Sequence, residues 1–224
     1  MAALDKHTGR LAWRFERTPR TKQLFSFCTP LLIEAGGRRQ VIAPGSGAVS
    51  ALDPATGKEY WHVRYGSGYS VVPRPVFAHG LVFVATGFQR ADLLAIRPGD
   101  AGDLTDTHVA WRTTKGAPLT PSVVVAGDEL YAISDAGLAS CWDAKTGTLH
   151  WQEKIDGNYS ASPLVVGDRI YCQSETGTGV VLATGKTFRV LATNKLEERT
   201  LASYAMVENS LLIRTADHLY RIGQ

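Results

Sequence analysis

Long hydrophobic runs are missing from this chain. Its apolar stretches reach only about five to seven residues, against the roughly 20 that a membrane-spanning helix requires. No membrane span is expected. The repeat described below begins within three residues of Met1, with no charged and apolar leader ahead of it, so these residues carry no secretory signal. Cysteine is scarce as well. Cys28, Cys141 and Cys172 are odd in number, and their spacings of 113 and 31 residues match no metal-ligand pair. They are expected to be small packed residues in strands. Charged residues make up 20% of the chain and the net charge is +3. The lysines and arginines are scattered, which argues against nucleic acid as a partner. The six histidines, at 7, 62, 79, 108, 150 and 218, form no metal-binding pair, and no nucleophile motif is present. Helical periodicity is absent over any stretch longer than about ten residues, which excludes an α/β architecture.

What the chain has is repetition. Ala3-Leu4-Asp5-Lys6-His7-Thr8-Gly9 leads to Trp13, Ala51-Leu52-Asp53-Pro54-Ala55-Thr56-Gly57 to Trp61, and Cys141-Trp142-Asp143-Ala144-Lys145-Thr146-Gly147 to Trp151. Each copy reads Asp-x-x-Thr-Gly-x-x-x-Trp. Asp accepts backbone N–H bonds inside such a turn and Gly takes its left-handed position. A second marker opens each unit. Thr29-Pro30, Arg74-Pro75, Thr120-Pro121 and Ser162-Pro163 precede short apolar runs, with Ser203-Tyr204 as a degenerate fifth, and the prolines are 45, 46 and 42 residues apart. Pro fits the first residue of a strand, where its missing N–H costs no ladder bond.

Between these markers the sequence alternates apolar runs with Gly, Asn and Asp turns such as Gly36-Gly37, His79-Gly80 and Gly127-Asp128. Four antiparallel strands in about 40–50 residues are the unit of a propeller blade. The expected fold is all-β, a β-propeller of four-stranded blades at about 25–66, 67–115, 116–156 and 157–198. Residues 199–224 supply three inner strands, and residues 1–18 supply a turn and an outer Trp strand. Together they form a composite fifth blade, or else the chain is an open arc of a larger ring. The start in mid-blade and the missing leader point to a portion of a longer protein. In the fourth unit Ala183-Thr184-Gly185 keeps the turn without a Trp, and Phe188-Arg189-Val190-Leu191 is the expected outer strand. In the second unit a longer loop from Arg97 to Ala110 replaces the turn before Trp111.

At these residues the chain resembles the PQQ-like β-propeller repeat family, found in quinoprotein dehydrogenases and in BamB-like outer-membrane assembly lipoproteins. The resemblance covers essentially the whole chain and is nearest to the BamB-like proteins with eight-bladed rings. It identifies the repeated phrase as a tryptophan-docking motif in which the Trp packs between neighbouring blades. The implied docking residues are Asp5, Gly9, Trp13, Asp53, Gly57, Trp61, Trp111, Asp143, Gly147 and Trp151. The resembling enzymes use adjacent cysteines against the quinone and a calcium ion. This chain has no adjacent cysteines, so a PQQ-dependent dehydrogenase is the alternative rather than the expectation, and neither catalytic nor cofactor-binding residues are assigned.

Weaker signals remain. Asp100, Asp103 and Asp106 bring three carboxylates into seven residues, a candidate calcium site, but without EF-hand spacing or a bidentate Glu. Gly185-Lys186-Thr187 mimics the end of a phosphate loop and reads as a hairpin turn. Asn158-Tyr159-Ser160 is an incidental glycosylation sequon. The expected role is a non-catalytic scaffold that binds protein partners through ring-face loops around Tyr65–Tyr69, Gly87–Arg90 and Gly157–Tyr159. The residues themselves leave the compartment open between the cytoplasm and a longer exported precursor; if the chain is a portion of a longer protein, the resemblance implies the periplasm or cell envelope, and open blade faces would favour self-association.

Overall fold

The computed structural model describes residues 1–17, 21–66, 68–88 and 91–223. Among them are 22 strands and no helix, so none is long and apolar enough to cross a membrane. The chain divides into two compact units near residue 112.

In the first unit, β1 (Ala2–Leu4) and β2 (Leu11–Arg14) form a hairpin. Next come β3 (Leu31–Ala35), β4 (Arg38–Gly45), β5 (Ala48–Leu52) and β6 (Glu59–Arg64), an antiparallel meander. The second meander runs through β7 (Val76–Ala78), β8 (Leu81–Ala85), β9 (Leu93–Ile96) and, after the short strand β10 (Gly102–Asp103), β11 (Val109–Thr113). The second unit holds β12 (Val124–Ala126), β13 (Glu129–Ile133), β14 (Leu138–Asp143) and β15 (Leu149–Lys154). A further sheet contains β16 (Leu164–Val166), β17 (Arg169–Gln173), β18 (Thr178–Ala183) and β19 (Val190–Lys195). Three strands close the sequence: β20 (Ala205–Val207), β21 (Ser210–Arg214) and β22 (Leu219–Gly223).

The inner strands β5, β8 and β9 are buried along their whole length. A strand covered on both faces reads as a continuous apolar run, as Leu81-Val82-Phe83-Val84-Ala85 does. One core gathers Ile42, Trp61, Val82, Leu94 and Ile96 within the first unit, and another gathers Tyr131, Trp151, Ile170 and Leu182 within the second.

Four pairs of third and fourth strands share one register. Ala3 faces Trp13, Ala51 faces Trp61, Cys141 faces Trp151 and Val181 faces Ala192, each followed by the same one-residue slip. Two details depart from the sequence reading. The outer strand of the fourth unit is Val190–Lys195, not Phe188–Leu191, because the slip carries Ala192 into the Trp place. Phe188 falls before the strand and its ring lies 5.1 Å from that of Trp151. The loop before Trp111 also contributes β10, which runs parallel to β6 and extends that sheet to five strands.

Candidate functional site

A meander has two ends. One carries the first-to-second turns and the Asp-x-x-Thr-Gly turns. The other carries the second-to-third turns and the links to the next sheet.

At the first end three turns are built alike. Asp5 Oδ1 accepts the amides of His7 and Thr8 at 3.1 and 2.7 Å. Asp53 does the same with Ala55 and Thr56 at 2.7 and 3.1 Å, and Asp143 with Lys145 and Thr146 at 3.0 and 2.8 Å. All three carboxyls are held below the usual range, chiefly by the Thr8 hydroxyl at Asp5, the Tyr60 hydroxyl at Asp53 and the Thr146 amide at Asp143, with the other turn amides adding to the effect. Gly9, Gly57 and Gly147 close the turns at φ of 70°, 73° and 74°.

The tryptophans meet different partners. Trp13 donates its indole N–H to the Pro54 carbonyl at 2.9 Å, in the turn of the following repeat, and its ring covers Gly57. Trp151 donates to the Gly185 carbonyl at 3.0 Å, again in the following repeat's turn. The amide of Gly185 in turn donates to the Tyr131 hydroxyl oxygen at 2.6 Å, so the phosphate-loop look-alike is a hairpin turn engaged with its own neighbours. Trp61 behaves otherwise. Its N–H goes to Gln40 Oε1 at 2.8 Å, inside its own sheet. The turn that would receive it has been replaced by the 97–108 loop, which sends Leu104 into the core beside Trp61. Trp111 is half-buried, with its ring 5.9 Å from that of Phe83.

The three loop aspartates do not converge. Asp103 accepts from Arg64 and from the Thr105 amide and hydroxyl, while Asp100 is exposed, 3.9 Å from Arg38. Among the described residues no three His, Cys, Asp or Glu side chains come together as a metal site. Beside Asp103 the 97–108 loop is strapped to β6: the Leu104 amide donates to the His62 carbonyl at 2.9 Å, and the Arg64 amide donates to the Thr105 hydroxyl at 2.9 Å. The Thr105 hydroxyl first, then its amide and the charges of Arg64 and His62, lower the Asp103 pKa to about 2. A depressed carboxyl contributes stability above its ordinary value near about 4 and loses it as pH falls toward the folded value. A carboxyl-carbon NMR titration should therefore place Asp103 near 2, with the strap intact at pH 4. A midpoint at the ordinary value would contradict this contact set.

The second end is where the units differ. In the first, three loop segments are laced by backbone bonds. Ser70 donates to the Phe25 carbonyl at 3.0 Å, Phe27 to Val71 at 2.9 Å and Phe88 to Tyr69 at 2.8 Å. Gly68 and Gly87 let these segments touch, since a Cβ on either would sit 2.5 Å from a facing carbonyl oxygen. With the backbones this close, the rings turn outward in a row. Phe27 lies 5.9 Å from Phe25, Phe25 5.4 Å from Tyr69 and Tyr69 5.8 Å from Phe88. Phe27 is 67% exposed and Phe88 52%. In the second unit the same end is closed by polar contacts. Asp135 caps the Leu119 amide at 2.7 Å, Glu175 accepts from Ser160 at 2.6 Å, and Tyr159 is fully buried with its hydroxyl on the Asp156 carbonyl. Of the three loops named from sequence, Tyr159 and Tyr65 are thus core residues, and Gln89, Arg90 and Ser67 lie outside the described residues. Phe25 and Phe27 escaped the sequence reading. Their signal was Leu24, Phe25 and Phe27 crowded into a segment with no strand pattern.

Beneath the ladder is a cleft of about 630 Å³, lined in part by Arg14, Arg17, Leu24, Phe25 and Cys28. The Arg17 guanidinium donates to the Pro44 carbonyl at 3.0 Å and the Ala43 carbonyl at 3.3 Å, and Gly45 leaves the space it occupies. Its Nε is buried without a hydrogen-bond partner. Burial lowers its pKa, with the neighbouring Tyr65 and Cys28 opposing the shift. Burial pushes the Cys28, Cys141 and Cys172 thiols up to about 12, which leaves them un-ionised and poor nucleophiles at neutral pH.

Comparison with curated protein sequences gives no match. Comparison with solved structures gives 619 matching chains, so this fold by itself selects no function. Among them is the crystal structure of BamB from Moraxella catarrhalis. It is 17% identical with a TM-score of 0.73, and the match covers 97% of this chain and 64% of that one. The fold is a β-propeller similar to that of BamB. Residues 1–107 and 99–218 each match the family described as outer membrane protein assembly factor BamB. With both halves of the sequence and its fold in agreement, the chain belongs to the BamB family.

Proposed function

We propose that this chain is a non-catalytic propeller scaffold that binds protein partners through the loops of its first unit, in outer-membrane protein assembly within the bacterial cell envelope. The observation that carries this reading is the outward row of Phe27, Phe25, Tyr69 and Phe88. Exposed aromatic residues on loops held by a rigid sheet are the usual composition of an interface centre. The family description supports the compartment and the process. In the same reading Trp13 and Trp151 tie each blade to the next and act in stability, not in chemistry.

Capture from a bacterial envelope extract tests the binding role. The intact chain should retain specific proteins, and a Phe27→Ser/Phe88→Ser variant with unchanged circular dichroism should lose them. Equal retention by both, or none by either, would remove the reading. The scaffold reading includes no quinone. Added PQQ with calcium should produce neither bound-quinone absorbance nor dye reduction, and turnover of an alcohol or sugar would replace scaffold with dehydrogenase. Light scattering across a concentration series separates partner binding from self-association.

A further inference from the structure

We infer that the cleft at Arg17, together with the aromatic ladder above it, is a site for an extended partner segment in which an acidic side chain precedes aromatic or large apolar residues. The inference rests on the interface reading above and specifies the chemistry of its partner.

Charge is the first argument. Arg17 has two backbone carbonyls as acceptors and forms no ion pair among the described residues. Its Nε is buried and unbonded. The nearest carboxylate in sequence, Glu16, is occupied by Arg14 at 3.3 Å. A half-buried guanidinium without a counter-charge carries a desolvation cost that a carboxylate would offset. The planar fork of Arg is suited to that carboxylate. Tyr65 does not supply the charge, because burial raises its pKa and its hydroxyl is bonded to the Gly45 carbonyl.

Continuity is the second. Phe25 lines the cleft and is also a member of the ladder. From Phe25 the rings continue to Tyr69 and Phe88 at successive spacings of 5.4 and 5.8 Å. At about 3.3 Å per residue, that run spans three to four residues of extended chain. A segment with its carboxylate on Arg17 therefore lays its next residues along the rings. Alternate side chains face the ladder, so apolar residues at every second position make the contacts.

The probe is the peptide Gly-Glu-Thr-Phe-Thr-Phe-Gly, which puts Glu and both Phe side chains on one face of an extended chain, acetylated and amidated so that its only carboxylate is the Glu side chain. A second peptide carries Gln in that place. In fluorescence titrations of the intact chain the Glu peptide should bind about tenfold more tightly than the Gln peptide, the scale of one charge-assisted hydrogen-bonded pair. The preference should shrink with salt. Arg17→Gln should abolish the preference while leaving the binding of the Gln peptide unchanged. Gly45→Ala, which places a methyl where the guanidinium lies, should do the same without removing the arginine. Phe88→Ala should weaken both peptides equally. Equal binding of the two peptides, or a preference that survives Arg17→Gln, would overturn the inference. If that equal binding is still lost on Phe88→Ala, the ladder keeps its interface role and only the acidic specificity falls.

Discussion

Trp61→Ala is expected to destabilise the first unit by about 3–5 kcal/mol, the range for deleting a large buried aromatic. Trp61 is fully buried and packs among Val82, Leu94 and Ile96 of the neighbouring sheet and Leu104 of the 97–108 loop. Little space exists into which these residues could collapse, because they also hold one another. A polar loss adds to the cavity. Gln40 is itself buried, and its Oε1 accepts the indole N–H while its Nε2 donates to the Ala35 carbonyl at 3.1 Å. Removing the donor strands a buried acceptor, which costs about 1–3 kcal/mol. Trp61→Phe separates the two effects, since it refills most of the volume but restores no donor. Trp111→Ala, at a half-buried position, should cost distinctly less. Urea unfolding followed by circular dichroism measures all three. A loss below about 1 kcal/mol for Trp61→Ala would mean that the blade interface does not depend on the indole.

Gly57→Ala should also be severe, and Gly9→Ala provides its control. Both glycines sit in the same turn at nearly the same φ, 73° and 70°. A side chain in that left-handed region costs about 1–2 kcal/mol at either place. Their surroundings differ. A Cβ on Gly9 would meet nothing within 4 Å, whereas on Gly57 it would stand 2.4 Å from the Trp13 ring. The indole would have to lift, losing its bond to the Pro54 carbonyl and its cover. Gly57→Ala should therefore exceed Gly9→Ala by about 2 kcal/mol, roughly one hydrogen bond plus partial re-exposure of an aromatic. The double variant Gly57→Ala/Trp13→Ala should be less than additive, since the clash disappears with the ring. Equal effects of the two glycine substitutions would show that Trp13 contributes no docking energy.

The meanders were legible because their causes are local. Alternation sets the pleat, Pro marks a first strand, and Gly36-Gly37 or His79-Gly80 supplies the positive φ of a tight hairpin. The one misplaced strand fails for a reason of the same kind. Phe188 looks like strand by composition, but the register slip shared by the repeats assigns the pairing to Val190–Lys195 and frees Phe188 to pack on Trp151. The candidate site was only half legible. Tyr69 and Phe88 stood out as loop aromatics, yet so did Tyr65 and Tyr159, which are buried. No composition rule separates an aromatic that roofs a core from one that faces water.

By itself, then, the sequence determined the repeat, its strand count, its turns and the membership of each strand in a sheet, because these follow from neighbours within one period of the chain. Only the tertiary structure decided where each indole N–H finds its acceptor and how a loop adds β10 to another sheet. It alone decided that Phe25, Tyr69 and Phe88 form one row above an Arg17 that has no ion pair among the described residues. Those outcomes depend on residues well separated in the sequence meeting at van der Waals distance. Packing sets that distance, and no local pattern encodes it.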